Sequence, residues 1–374
     1  MPDSRNNPSP HSVHADDTQS PEASTAQPCR HVAVIGAGMA GVSCARALVQ
    51  AGHRVTLIEK SRGFGGRMAT RRTEFGSFDH GAQYFTVRDA RFAQALENME
   101  AVVRPWSANT VRVLDETGHV LSQAPTPSEG HFVGKPGMNA LVGHWVAALV
   151  QTQAAQALTG QRVTRIERDA LHPEQWQLRC EDGEGGQQVL GGFDRVVLAV
   201  PHPQALDLLR ASALAADVCQ TLEAVEVAPC WTLMVAFPNA MQPGLSYLGP
   251  QWNAARSVHH RISWLARENS KPGRDPVERW TVQASPAWSQ EHLEDDDERV
   301  KAKLLKAFAE VTGIRATPSH AVVHRWRFAQ TRKPLGQPFL FDATLGLGLC
   351  GDWCLGHRVE DAFIAGLTLA HAMA

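Results

Sequence analysis

The stretch from His31 to Glu59 constrains this chain more than any other. Val32 to Ile35 is a short apolar β run, and Gly36, Gly38 and Gly41 follow at G-x-G-x-x-G spacing, where a strand should turn into a helix. Gly36 permits the tight turn, Gly38 lets a phosphate approach the backbone, and Gly41 lets the helix lie close to the sheet, with the amides around Met39 and Ala40 aimed at the phosphates. Val42, Ala45, Leu48 and Val49 recur at helical spacing and predict a helix over 40–51, which Gly52 ends. Val55 to Ile58 is a second strand. Glu59 at its end lies 23 residues after Gly36, where a carboxylate can accept the hydroxyl protons of an adenosine ribose. The unit predicts dinucleotide binding. Glu59 would repel a 2′-phosphate, which disfavours NADP even though Lys60 and Arg62 follow, so FAD and NAD remain.

At 374 residues the chain exceeds the usual size of one domain, and two are expected. A formal charge of −2 offers no electrostatic case for nucleic acid or an acidic membrane surface, and the apolar run Ala140 to Val150 is too short to span a bilayer. A small-molecule substrate is expected. Residues 1–29 are rich in Ser, Pro, Asn, Asp and Gln, with almost no large apolar side chain, and are expected to form a disordered tail. They lack the apolar core of a secretory signal, and Asp3, Asp16, Asp17 and Glu22 argue against a transit peptide, which makes the cytoplasm the default. Seven dispersed cysteines with no CxxC pair make a disulfide framework improbable; Cys350 and Cys354 read more readily as two packed thiols than as a redox pair. No cluster has metal-ligand spacing, and His259 and His260, adjacent on an expected strand, would face opposite ways.

After Glu59, Gly63, Gly65 and Gly66 exclude a helix and predict a loop that wraps a ligand closely, with Arg67 placed to meet a phosphate. Phe78 to His80 reads as a short strand broken at Gly81, leaving Gln83 and Tyr84 to face a planar ligand. Residues 62–67 (RGFGGR) resemble the second glycine motif of flavin amine oxidases, and residues 79–86 (DHGAQYFT) are similar to the renalase-like branch of that superfamily. The resemblance covers nearly everything after residue 30, and it selects FAD over NAD. It implies a two-domain α/β flavoprotein, with a Rossmann-like FAD-binding domain and an antiparallel-sheet substrate domain bearing helices. It further implies non-covalent FAD contacts at Gly36, Gly38, Met39, Ala40, Gly41, Glu59, Lys60, Gly66, Arg67, Met68, Gly81, Ala82, Gln83 and Tyr84. Val163 is expected to touch adenine through its backbone. Gly351 and Asp352 are expected to hold ribityl and phosphate oxygens, and the helix opening at Val359 and Ala362 to point at the flavin pyrimidine, with Glu360 and Asp361 turned away.

Periodicity supplies the remaining elements. A helix is expected over 88–104, a hairpin from Val111–Val113 and His119–Leu121, and an apolar helix from Asn139 to about Val150. Gly137 before that helix is either a shared family feature or only an entry turn. Strands are expected at Val163–Arg168, Trp176–Cys180 and Asp194–Val200, and a helix from Gln204 to about Leu214. Trp231–Phe237, Val258–Ala266, Trp280–Ala284 and Ala321–Ala329 should form one antiparallel sheet, and Val300, Leu304, Leu305 and Phe308 the buried stripe of a helix. The expected boundaries are 30–88, 159–212 and 339–374 for the FAD domain, and 89–158 and 213–338 for the substrate domain. Tryptophans in such a sheet are more often core than pocket, yet Trp231, Trp264 and Trp326, with Tyr84, are the candidates for a pocket wall. In the strand Arg325 to Phe328 the arginines and the aromatics alternate faces, and which pair meets substrate is left open.

Flavin carries redox chemistry itself, so no catalytic triad or acid pair is required and no catalytic side chain is assigned. The resemblance implies oxidation of misreduced dihydropyridine isomers of NAD(P)H by hydride transfer to flavin N5, with O2 as the re-oxidant giving H2O2. The alternatives are an amine oxidase or desaturase acting on a small amine or polyene, and an FAD-binding protein without turnover.

Overall fold

The computed structural model describes residues 28–106, 111–123, 129–241, 250 and 252–374. The expected disordered tail lies outside the described residues except for its last two positions.

A six-stranded sheet runs in the order Leu340–Asp342, Leu347–Leu349, Arg195–Leu198, His31–Ile35, Arg54–Ile58, Ala155–Leu158. All pairings are parallel except the Leu340–Asp342 edge. Val32, Ala33, Val34, Val196, Val197 and Leu198 are fully buried, as the continuous apolar runs demand of strands covered on both faces. The helix Met39–Gln50 packs against the last helix, Val359–Met373, and the two come so close that a Cβ on Gly366 would lie 2.0 Å from the Ala40 carbonyl oxygen. Ser43 Oγ donates across the same seam to the Phe363 carbonyl at 2.8 Å. A separate antiparallel meander, Arg162–Arg168, Trp176–Glu181 and Gln187–Phe193, precedes the return to the central strand Arg195–Leu198.

The second sheet has seven strands in the order His320–Lys333, Glu226–Phe237, Glu278–Ala284, Ile262–Arg267, Ala254–Ser257, Val111–Leu114, Val120–Gln123. It is antiparallel apart from the pairing of Ala254–Ser257 with Val111–Leu114. Trp231, Leu233, Val235, Trp280 and Val282 point from one face into a core closed by Val300, Leu304 and Phe308 of the helix Asp297–Thr312. The alternate residues face the cofactor domain. Met234 and Ala236 meet Phe78, and Trp264 and Ala266 join the main core.

Three expectations are corrected. Residues 140–158 do not belong to the substrate domain: Ala155–Leu158 pairs with Arg54–Ile58 in the first sheet, and the helix Ala140–Gln151 covers that sheet through Leu141, Val142, Trp145 and Val146. An apolar strand with an open parallel neighbour is worth more there than as an outlier of a distant sheet. The helix expected over 88–104 spans only Ala90–Ala95, capped by Asp89, because the chain must then turn so that Val103–Pro105 can pair with Phe132–Gly134. The strand expected over 258–266 starts only at Ile262, and residues 258–261 form the turn that joins it to Ala254–Ser257. In that turn Ser257 Oγ and His259 Nδ1 accept backbone N–H groups, and the rings of His259 and His260 stack with centroids 4.5 Å apart rather than facing opposite ways. No helix among the described residues is long and apolar enough to cross a membrane.

The seam between the two long helices yields a prediction. Gly366→Ala should cost ~2 kcal/mol of unfolding free energy in urea, because backbone must move to admit the methyl group. Gly143→Ala, whose Cβ would meet nothing within 4 Å inside another helix, should be neutral or stabilising.

Candidate functional site

The first glycine turn is shaped by what it excludes. Gly36 has φ +102°, and a Cβ there would lie 2.5 Å from the Ala199 carbonyl oxygen; one on Gly41 would lie 1.9 Å from Gly36's own carbonyl. The helix begins at Met39 with Gly38 as its cap, no capping side chain and no acid in its first turn. Its leading amides thus keep their positive end free for an anion. Glu59 is buried and braces the turn, Oε2 accepting from Ala37 N at 2.9 Å and Oε1 from Ser61 N at 2.8 Å. Lys60 donates to Gln204 Oε1 at 3.2 Å, and its ammonium is pushed below its usual pKa by burial, with Glu59 opposing that shift.

The second glycine segment folds onto the first. Gly65 N donates to the Ala37 carbonyl at 2.9 Å, and Gly66, at φ +54°, approaches Gly38 so closely that its Cβ would lie 3.2 Å from Gly38 Cα. The turn Gly66–Met68 buries Met68 and delivers Arg67 to Asp352, 285 residues away, in a two-pronged ion pair; Nη1 to Oδ2 is 2.9 Å. Arg67 also reaches the Ala329 carbonyl at 3.2 Å, so its fork is anchored on protein groups rather than left free for a phosphate. Ala82 N donates to the Arg67 carbonyl at 2.8 Å, which brings the Gly81 corner against the same turn. Gly160 N and Gln161 N donate to Ser61 and Glu59 carbonyls, both at 3.0 Å, and so draw the start of Val163's strand toward the Glu59 end. At the last helix Glu360 accepts from Arg88 N and Asp89 N at 2.7 and 2.8 Å, and Asp361 from Arg358 N at 2.9 Å. Both acids are occupied, which leaves the N-terminus near Val359 and Ala362 able to face a ligand.

Two candidates land elsewhere. Trp231 is fully buried on the helix-covered face, with Nε1 on the His292 carbonyl at 2.9 Å, so it is core and not pocket. Gln83 turns inward: its amide donates to the Asp79 and Gly81 carbonyls, and its Oε1 accepts from Lys271 at 3.3 Å. The alternation in Arg325 to Phe328 resolves with both arginines on Glu294, and with Trp326 on the inner face, its Nε1 on the His80 carbonyl at 2.8 Å and its ring stacked on His80 at 5.2 Å. Trp264 lies beside Tyr84 with ring centroids 5.7 Å apart.

Sequence reasoning missed a buried charge cluster. Asp79 Oδ2 meets Lys271 at 3.1 Å and Arg274 at 2.6 Å, while its Oδ1 accepts from Thr70 Oγ1 at 2.7 Å and Met138 N at 2.9 Å. Glu268 meets Lys271 at 3.0 Å and accepts from Thr281 Oγ1 at 2.6 Å. Burial raises Glu268 above its usual pKa. Burial also acts upward on Asp79, but Lys271 and Arg274 outweigh it and hold Asp79 low. The only signal in the sequence was the run Ser270 to Arg274, which has no period and no motif. Gly137 is settled by the same cluster: a Cβ there would lie 2.6 Å from Thr70 Oγ1, so it is a close-packing position.

Family models match in two places. Residues 34–98 match an NAD(P)-binding Rossmann-like domain, and residues 123–374, more than half of the chain, match the flavin containing amine oxidoreductase model. The chain belongs to the flavin containing amine oxidoreductase family. A cyclohexylamine oxidase from Brevibacterium oxydans IH-35A shares the fold at TM-score 0.67 and 15% identity, over 92% of this chain and 99% of that one. An oxidoreductase from Methanosarcina mazei superposes at TM-score 0.64 and 14% identity, over 91% and 100%. An L-amino-acid oxidase of Bungarus fasciatus is 60% identical over 45 residues, a stretch covering 12% of this chain and only 9% of that relative.

FAD is the family's cofactor, and the residues present fit it. The uncapped helix at Gly38 and the close approach of Gly38 and Gly66 suit a pyrophosphate, Glu59 at the second strand's end suits a ribose, and the start of the last helix suits the flavin end, while both Asp352 oxygens are held by Arg67. Asp352→Ala should leave Arg67 without its partner and weaken FAD binding at least ~10-fold in a fluorescence titration, while far-ultraviolet dichroism stays unchanged.

Burial pushes His80 down to about 3, with His324 and Arg71 adding to it, and burial with Arg71 pushes His324 down to about 4. Below pH 6.5 the unfolded chain takes protons that the native state refuses, so stability is complete above that pH and falls as acid is added. The slope contributed by His80 should be roughly 1 kcal/mol per pH unit between pH 6 and 4. Urea midpoints across that range should show it, and His80→Gln should flatten it.

Proposed function

We propose that this flavoprotein oxidises misreduced dihydropyridine isomers of NAD(P)H to NAD(P)+, with O2 as the final oxidant. The observation that carries the reading is the segment Asp79–Thr86. Its sequence is similar to the renalase-like branch, Asp79 is locked by Lys271 and Arg274, and Tyr84 emerges beside Trp264 where the cofactor domain meets the inner face of the substrate sheet. Flat aromatic walls suit a flat ring donor. FAD, when bound, supplies the hydride acceptor and the path of the two electrons to oxygen. One dihydropyridine, one proton and one O2 then give one NAD(P)+ and one H2O2.

The protein's contribution is orientation. The Arg67–Asp352 pair and the glycine turns fix the cofactor's backbone contacts, and the buried charges at Asp79 hold the chain that carries Tyr84. Cys354 is buried, and burial with the neighbouring Cys350 raises its thiol well above the usual range, which supports non-covalent FAD. The seven cysteines are free thiols, which supports the cytoplasm as the location.

Oxidation of a small amine is the second reading, favoured by the family model and by the cyclohexylamine oxidase of the same fold. Purified holoprotein mixed anaerobically with 2- or 6-dihydro-NAD(P) should lose its yellow colour within seconds, and in air should give one H2O2 per substrate. Bleaching by cyclohexylamine with none by either dihydropyridine would transfer the assignment to the second reading. Bleaching by neither would favour an FAD-binding protein without turnover.

A further inference from the structure

Four rings converge where the cofactor domain meets the substrate sheet. Around Tyr84 lie His131 at 4.2 Å, Trp264 at 5.7 Å and Trp106 at 6.4 Å between centroids, each tilted by 40–46° to it. They come from separate places. Trp264 sits on the inner face of the strand Ile262–Arg267, Trp106 follows Val103–Pro105, and His131 precedes Phe132–Gly134. Tyr84 follows directly on the Gly81 corner that packs against Arg67.

Two of these rings are tryptophans, and their N–H groups differ. Trp106 Nε1 donates to Ser270 Oγ at 3.2 Å. Trp264 is 8% exposed, its Nε1 is shielded from water, and that N–H has no acceptor among the described residues. A buried donor left without a partner is rare in native proteins and asks for an explanation. The other unpartnered tryptophan nitrogen, on Trp145, lies in the core of the cofactor domain, between the Arg46 guanidinium and the Phe363 ring. The group around Trp264 carries no formal charge of its own. Burial and Arg256 hold His131 below its usual pKa against the pull of Glu129, so its imidazole is neutral at pH 7. Flat walls with one spare donor, and with the Lys271 ammonium 5.7 Å from the Trp106 ring centroid, match a flat ring that bears one carbonyl oxygen.

We propose that the Trp264 Nε1–H is the specificity-determining donor for a carboxamide oxygen on the ring of the substrate, with the packed cluster of Tyr84, Trp106 and His131 as the aromatic wall beside it. The inference rests on the dihydropyridine reading and adds to it the group that tells a carboxamide-bearing ring from one without. Trp264 acts on binding, not on the transfer of electrons.

The test uses FAD-loaded protein and two probes that share one ring, nicotinamide and 3-methylpyridine, titrated while the flavin absorbance spectrum is followed. The wild type should bind nicotinamide about 10-fold more tightly than 3-methylpyridine, the value of one buried hydrogen bond. Trp264→Phe should abolish that difference by weakening nicotinamide alone, and should raise KM for 6-dihydro-NAD about 10-fold with kcat within about two-fold. Benzothienylalanine at position 264 keeps the bicyclic shape and removes only the N–H, so it gives the same readout if Trp264→Phe fails to fold. Equal loss of both probes, unchanged nicotinamide binding in the variants, or no discrimination by the wild type would each overturn the proposal. Failure of the wild type to oxidise any dihydropyridine, with nicotinamide discrimination intact, would instead overturn the substrate reading and leave the donor assigned.

Discussion

Backbone meeting backbone without intervening side chains is the constraint on which the rest of the structure depends. Gly36 lies under Ala199, Gly41 against Gly36, Gly66 against Gly38, and Gly366 against Ala40. At Gly36, Gly41 and Gly366 a single methyl group would force main chain apart, and at Gly66 it would be a tight fit against Gly38. The parallel sheet, the two long helices and both glycine turns are therefore held at distances that only glycine allows, and the anion cradle is made of amides instead of flexible side chains. A cradle of this kind loses little entropy when it closes on a ligand, because it has no rotamers to order.

Charge provides the second lock. Asp79, Glu268, Lys271 and Arg274 join the hairpin of the cofactor domain to the loop after Ile262–Arg267. Removing four charged groups from water is expensive, and mutual pairing repays it only when the remaining lone pairs are also satisfied. Thr70, Met138 and Thr281 satisfy Asp79 Oδ1 and Glu268 Oε1, while Arg274 Nε and Nη1 have no acceptor among the described residues. The gain is geometric: Asp79 fixes the register of the residues after it, so that Tyr84 stands where the two domains meet.

The substrate sheet divides its labour by alternation. Trp231 and Trp280 serve the core under the helix Asp297–Thr312, whereas Trp264 and Trp326 serve the face toward the cofactor domain. Arg325 and Arg327 spend their charge on Glu294, outside the aromatic region.

Much of this was legible because its causes are local. The strand, glycine turn, helix, strand and acid from His31 to Glu59 are dictated by period and by glycine's freedom, and the apolar run at Asp194–Val200 could only be a covered parallel strand. Other features depended on partners far along the chain. Sheet membership of Ala155–Leu158 turns on an open edge beside Arg54–Ile58, and the pairing of Arg67 with Asp352 spans 285 residues. Lys271 has no pattern around it to betray a buried cation. Whether a tryptophan on an alternating strand is wall or core is decided by what covers each face. The amino-acid order alone determined the dinucleotide unit, the α/β class and the second glycine turn, since these follow from backbone sterics within a few residues. Tertiary structure alone decided which charges pair, which face of the sheet meets the cofactor domain, and that Trp264 keeps an unspent donor, because those depend on desolvation by segments distant in the chain.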